Sequence, residues 1–295
     1  MAHLDVYQLV TDRIIAQLEQ GIIPWHRPWT GVSVADGGAV NYVSRKPYSL
    51  LNQMLLGREG EYITFKQCKK LGGSIKKGAE SQVVVYFEML PIIKTNKEGE
   101  EEEKRIPFLR YCRVFHIDDT TGIESKIKVD EAGKPQPENT LQPLEQAEEV
   151  ITNYISREKT LKFHNNTPSN RAYYSPSRDE VVVPMLSQYT QAEEYYSTAF
   201  HELVHSTLAK SRCDRTAENK NAHFGSEDYS REELVAELGS AMLCNVTGIE
   251  CEKAFKNSVA YLQSWLRALK NDNKMIVWAS SRAEKASKYI IGTPQ

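Results

Sequence analysis

The chain has 295 residues, 40% of them hydrophobic and 26% charged, enough for one large core or two ordinary ones, and the length favours two domains. With 37 Lys and Arg against 39 Asp and Glu, the net charge is −2. That balance excludes a polycationic nucleic-acid protein, so any binding of a polyanion must be confined to one surface.

At the N-terminus, Met1-Ala2-His3-Leu4-Asp5 has neither the basic nor the apolar segment of an export signal, and no apolar run approaches the ~20 residues that cross a bilayer. The expected location is the cytoplasm, with no membrane partner. Five Cys without a CxxC pair fit reduced thiols there. Residues 4–20 carry Val6, Leu9, Val10, Ile14 and Leu18 at helical spacing, with Gly21 and Pro24 as stop signals. The aromatic segment Trp25-His26-Arg27-Pro28-Trp29 follows. A short helix is expected over 49–57, and Thr64-Phe65-Lys66-Gln67 is a capping box for another that ends at Gly72-Gly73. On that helix Lys66, Lys69 and Lys70 share a face, the glycine turn brings Lys76 and Lys77 alongside, and no acid interrupts 62–77. With Arg45, Lys46, Tyr48, Trp25 and Trp29 they form a candidate surface for single-stranded nucleic acid, cations for phosphates and rings for stacked bases. The plainer alternative is a solvated lysine face with the tryptophans in the core. Segments 82–93 and 108–117 are β-rich and are expected to pair as a hairpin, with the acidic stretch 94–105 as its solvated, mobile tip.

Residues 118–143 are rich in Gly, Pro, Asp and Glu and lack periodicity, which places the domain junction there. The expected division is a front domain over 1–125, a linker over 126–142 and a back domain over 143–295. A helix over about 143–157 precedes short strands around Leu161, Ala172-Tyr173-Tyr174 and Val181-Val182-Val183. Residues 191–210 have an apolar period near 3.6 and no Pro or Gly, so they form a helix, and within it lies the HExxH run His201-Glu202-Leu203-Val204-His205. Residues four apart share a helix face, so both imidazoles aim at one point. Imidazole pairs suit one Zn2+, and Glu202 can take a proton from a water that the ion activates. A catalytic zinc site needs a third protein ligand from another element. Ser230-Arg231-Glu232-Glu233-Leu234-Val235-Ala236-Glu237-Leu238 opens the next periodic segment, with Glu233 and Glu237 on one face. Either glutamate is a candidate third ligand, and Ser230-x-x-Glu233 also reads as a capping box. Cys213 is a further ligand type close by, more simply a core or loop thiol. For an oxyanion donor the nearest suitable residues are Tyr229 and His223. Trp265 and Trp278 sit at helical spacing in two C-terminal helices and are expected in the core.

Asp5-Val6-Tyr7-Gln8, Pro24-Trp25…Pro28-Trp29, Asn41…Pro47-Tyr48…Asn52 and Thr64-Phe65-Lys66-Gln67…Gly72-Gly73…Lys77-Gly78 resemble the ArdC-type antirestriction family and the front of TraC-type plasmid primases. The resemblance continues through Ala172-Tyr173-Tyr174…Asp179, Pro184, the HExxH run, Ser211-Arg212…Arg215 and Glu232-Glu233…Glu237-Leu238. It implies an α+β protein of two domains, an N-terminal single-stranded-DNA-binding module and a C-terminal zincin-like metallopeptidase, carried by mobile elements to shield entering DNA from restriction. The glutamate segment resembles that of gluzincin peptidases, which implies that Glu233 binds zinc and Glu237 accepts the free N–H of a ligating histidine. Departures are the acidic 94–105 stretch and Ser206, Leu208 and Ala209 after the second histidine. Three readings follow: a DNA-targeted antirestriction protein acting on a host protein, a zinc peptidase with a protein-docking front domain, or a binding protein whose zinc is structural.

Overall fold

The structure, a computed structural model, describes residues 5–26, 38–95, 101–127, 143–216, 227–249 and 258–292. Helix α1 (Val6–Glu19) starts at Asp5, whose carboxylate accepts the Tyr7 N–H at 2.9 Å and the Gln8 N–H at 3.3 Å. Those are two of the donors that a helix start leaves open. Strand β1 (Ala39–Asn41), helix α2 (Leu50–Leu56), strand β2 (Gly60–Thr64) and helix α3 (Phe65–Lys70) follow. The capping box of α3 is complete: Gln67 N–H donates to Thr64 Oγ1 at 3.2 Å and Thr64 N–H to Gln67 Oε1 at 2.9 Å. Strand β3 (Ser74–Ile75) later pairs with β6 (Thr120–Thr121).

The long strands β4 (Gln82–Thr95) and β5 (Glu101–His116) complete a four-stranded sheet in the order β1-β2-β5-β4, antiparallel except for β1 and β2. The hairpin runs further than the sequence suggests. Its ladder continues to Thr95 opposite Glu101 and takes in most of the stretch expected as a mobile tip. Register set by apolar pairs at the base carries outward with period two, and it places Lys94 opposite Glu102. Residues 96–100 lie outside the described ones. Strand β4 is the sheet edge, and there Asn52 bonds both main-chain groups of Val85, the N–H at 2.7 Å and the C=O at 2.8 Å. The outward-facing main-chain groups are therefore those of Val85, Phe87, Met89 and Pro91. Pro91 has no N–H to present, which blunts the edge.

The back half contains α4 (Pro143–Arg157), strands β7 (Lys162–His164), β8 (Tyr173–Ser175) and β9 (Glu180–Val182), then α5 (Ala192–Ser206), α6 (Glu227–Val246), α7 (Ser258–Asn271) and α8 (Met275–Ile291). The small sheet has the order β7-β9-β8, with β8 antiparallel to β9. Trp265 is buried and Trp278 packs against the same core. One apolar core joins Val10, Ile14 and Leu18 of α1 to residues of α4, α5, α6 and α8, so packing does not stop at the 126–142 segment. Polar contacts cross as well: Thr11 Oγ1 donates to the Asn273 carbonyl at 2.8 Å, and Glu284 on α8 accepts the Leu50 N–H at the start of α2 at 3.1 Å. The architecture is α+β, and among the described residues no helix is long and apolar enough to cross a membrane.

Candidate metal centre

Helix α5 buries Tyr195, Tyr196, Ala199, Phe200, Leu203 and Val204. His201 and His205 rise one turn apart on its other face, with their Nε2 atoms 3.1 Å from each other. Helix α6 crosses α5 at Gly239, where a Cβ would meet Val204 Cγ2 at 2.8 Å and Cγ1 at 3.0 Å. Only a residue without a side chain allows so close an approach. The crossing delivers Glu233, whose Oε2 lies 3.5 Å from His201 Nε2 and whose Oε1 lies 3.4 Å from His205 Nε2. A tetrahedral ion with bonds of about 2.1 Å needs its ligand atoms about 3.4 Å apart. The three separations centre on that value, so these residues fit a zinc-sized cation.

Glu237 stands behind the cluster, its Oε2 3.9 Å from Nδ1 of His201. Helix α6 begins at Glu227, so Ser230 lies inside it and Glu233 is not a capping residue. Tyr229 falls in the first turn of α6, and His223 lies outside the described residues. Cys213 is a buried thiol outside the histidine–glutamate cluster, its pKa pushed up by burial. Glu202 is buried on the helix that bears both histidines.

The electrostatics favour a cation. Burial opposes ionisation of Glu233, but hydrogen bonds and charge from His201 and His205 hold its carboxyl far below the usual range. Burial likewise opposes charge on His205, yet Glu232 and Glu233 push it up to about 10, and Glu233 raises His201 too. The acids thus hold positive charge at this point, and a bound cation takes the place of the imidazole protons.

Several of these residues escape sequence reasoning. Glu232 faces Nδ1 of His205 at 3.6 Å and is gripped by Arg215, through Nη2 at 2.5 Å and Nε at 3.1 Å. Arg215 also donates to Thr207 Oγ1 at 2.8 Å and to the Val204 carbonyl at 3.2 Å, tying the end of α5 to α6. Arg212, its side chain wholly buried, makes a bidentate pair with Asp179 at 2.9 and 2.7 Å and bonds Glu158 at 2.8 Å. Two arginines three residues apart after an HExxH helix were the available signal, because buried arginines need buried acids. Tyr189 is a further omission: burial, with Tyr195 and nearby acids including Glu202, raises its pKa.

On the front half the picture is divided. Lys46, Lys66, Lys69, Lys70 and Lys77 are exposed, as is Phe65 beneath Lys69. Lys76 is exposed too but donates to the Asp118 carbonyl at 2.6 Å. Trp25 is only 1% exposed, in a turn packed against α1, α2 and α6, so it cannot stack on a base. The apolar stripe of α1 claims it for the core. Arg45 pairs with the buried carboxylate of Glu61, with a third of its side chain left exposed. Tyr48 is half-buried against Tyr62, and Trp29 lies outside the described residues.

Fold and site together define a zincin-like metal centre joined to an α+β front half, and known proteins share both. Residues 148–282 match the zincin-like metallopeptidase family, and residues 4–115 match the N-terminal domain of anti-restriction factor ArdC. The metal-free crystal structure of antirestriction ArdC protein from plasmid R388 is 31% identical with a TM-score of 0.69, 97% of each chain being covered. Its Mn(II)-bound structure is 30% identical with a TM-score of 0.71 over the same share. The chain belongs to the ArdC antirestriction family. Two Escherichia coli DNA primases TraC are 27% and 28% identical over 98% of this chain, which spans only 20% and 27% of their length. Protein y4eC of Sinorhizobium fredii (strain NBRC 101917 / NGR234) is 28% identical, covering 97% of this chain and 91% of that protein.

Proposed function

We propose that the chain is a cytoplasmic antirestriction protein that binds single-stranded DNA through its front domain, residues 1–125, and hydrolyses a host protein at a zinc centre in its back domain, residues 143–295. The observation that carries the reading is the convergence of His201, His205 and Glu233, from two helices, at the spacing of one tetrahedral cation. The Mn(II)-bound relative supports a metal at this fold.

In this reading His201, His205 and Glu233 hold Zn2+, which when bound polarises a carbonyl and acidifies water. Glu202 takes the proton of the attacking water and returns it to the leaving amine. Glu232 and Glu237 fix the two imidazole rings from their Nδ1 sides. The donor to the developing oxyanion comes from Tyr229, one turn before Glu233 on α6, or from His223. On the front domain the exposed lysines of α3, with Lys46 and Lys77, bind phosphates.

The test is proteomics of restriction-proficient cells expressing the wild type or Glu202→Gln. A host protein should disappear only with the wild type, while the purified variant keeps its zinc; loss of that protein with both forms would eliminate Glu202 as the base. For the front domain, oligo-dT affinity should fall steeply with salt and weaken on Lys69→Ala with Lys70→Ala. Affinity indifferent to salt would count against a phosphate-binding face.

A further inference from the structure

A cavity of about 710 Å3 opens between the edge strand β4, helix α2 and the C-terminal helix α8. It is a size that suits small-molecule and nucleotide sites, which run to about 300–1,000 Å3. Its floor is apolar, formed by Leu51, Val84, Val114 and Val277. Tyr86 and Phe87 line it while half their surface stays exposed, at 50% and 51%. Side chains alternate along a strand, so these two rings flank the edge of β4 from opposite faces. Lys285 and Ser281, both exposed, line the α8 side. Thr64, which caps the lysine-bearing helix α3, belongs to the same wall.

We propose that this cavity takes one or two unstacked bases of a single DNA strand whose phosphates run over α3 and past Lys285. The inference rests on the single-strand reading given above and locates its base-binding part, which the basic face alone does not supply. Three features select bases. Two exposed rings offer stacking surface, and stacking serves any base because each has a π face. The outward N–H and C=O of Phe87 offer a donor and an acceptor side by side, a match for the polar edge of a base. Lys285 lines the α8 side and Thr64, the cap of the lysine-bearing α3, lines the cavity too, so a strand threading it has cations within its course. A peptide strand is the poorer occupant, because Asn52 already holds the main-chain groups of Val85 and Pro91 lacks an N–H, leaving too short an edge to extend the sheet.

The test uses the full chain and an oligo-dT of about fifteen nucleotides, a length matched to such sites. One variant carries Tyr86→Ala with Phe87→Ala, and a second carries Ser281→Trp to fill the cavity; all three positions are exposed, so folding should survive. Each should weaken oligo-dT binding by about tenfold or more at fixed salt, the loss of about one stacked base. Oligo-dT bearing 5-iodo-deoxyuridine should photocrosslink to Tyr86 or Phe87. Crosslinks confined to 66–77, with both variants binding as the wild type does, would overturn the cavity assignment and leave single-strand binding intact. No retention of the oligonucleotide by the wild type at low salt would overturn both.

Discussion

At the scale of single residues the metal cluster is held by charge that the sequence motif does not contain. His205 has acids on two sides: Glu233 at Nε2 and Glu232 at Nδ1. A carboxylate at Nδ1 fixes the tautomer that leaves Nε2 available to a cation and makes that nitrogen more basic. Glu232 can hold this position because Arg215 neutralises it within a buried pocket, where an unpaired carboxylate would be costly. Substituting Glu232→Gln should therefore weaken zinc binding by about 10–100-fold, the usual effect of losing such a partner. Competition against a chromophoric chelator measures it. Glu237 stands further from its ring, at 3.9 Å, and Glu237→Gln should cost less. A larger loss at Glu237 than at Glu232 would show that His201, not His205, is the ring whose orientation limits affinity.

At the scale of elements the decisive contact is the crossing of α5 and α6 at Gly239. The HExxH run places two candidate ligands on one helix by spacing alone, but the candidate third depends on how closely a second helix approaches. That distance is tertiary, and the sequence showed it only as a glycine in a helix interior, where glycine otherwise costs stability. Gly239→Ala should lower stability by about 1–3 kcal/mol, as overpacking does, and loosen zinc binding by moving Glu233 outward. Adding Val204→Ala removes the clashing methyls, so zinc affinity should recover while thermal stability does not. Affinity unchanged in the single variant would mean that α6 has room to slide. Local signals read well elsewhere: the Thr64–Gln67 capping box, the helix expected over 4–20 and the span of α4 all appear where periodicity and capping place them, within a residue or two at the ends. Exposed aromatics read badly. Trp25 looked like a stacking platform because it lies in an aromatic run near cations, yet the tightest demand on it was filling the core under α1. Tyr86 and Phe87 sat unnoticed in a β-rich run, since period alone does not say which side of an edge strand stays open.

At the scale of the whole molecule the family boundary and the packing boundary differ. The two family matches meet around the 116–147 segment, but α1, from the first match, packs into a core with helices of the second. The C-terminal helix α8 touches everything that matters: α2 through Glu284, α6 through the Ser287 hydroxyl bonded to the Gly239 carbonyl at 3.1 Å, and the cavity beside β4. A core shared in this way should make the halves unfold together rather than in turn. A metal bound by the folded chain at this centre should then stabilise residues far from it. At a metal concentration about a thousand times Kd the gain is about 4 kcal/mol, and hydrogen exchange should show it in α1 and α2 amides as fully as in α5 and α6. Chelation should slow-to-fast shift all four helices together, and calorimetry should show one transition whose midpoint moves with metal. Protection gained only within 143–295 would mean that the front half opens independently, and the shared core would then be a contact between two separate folding units.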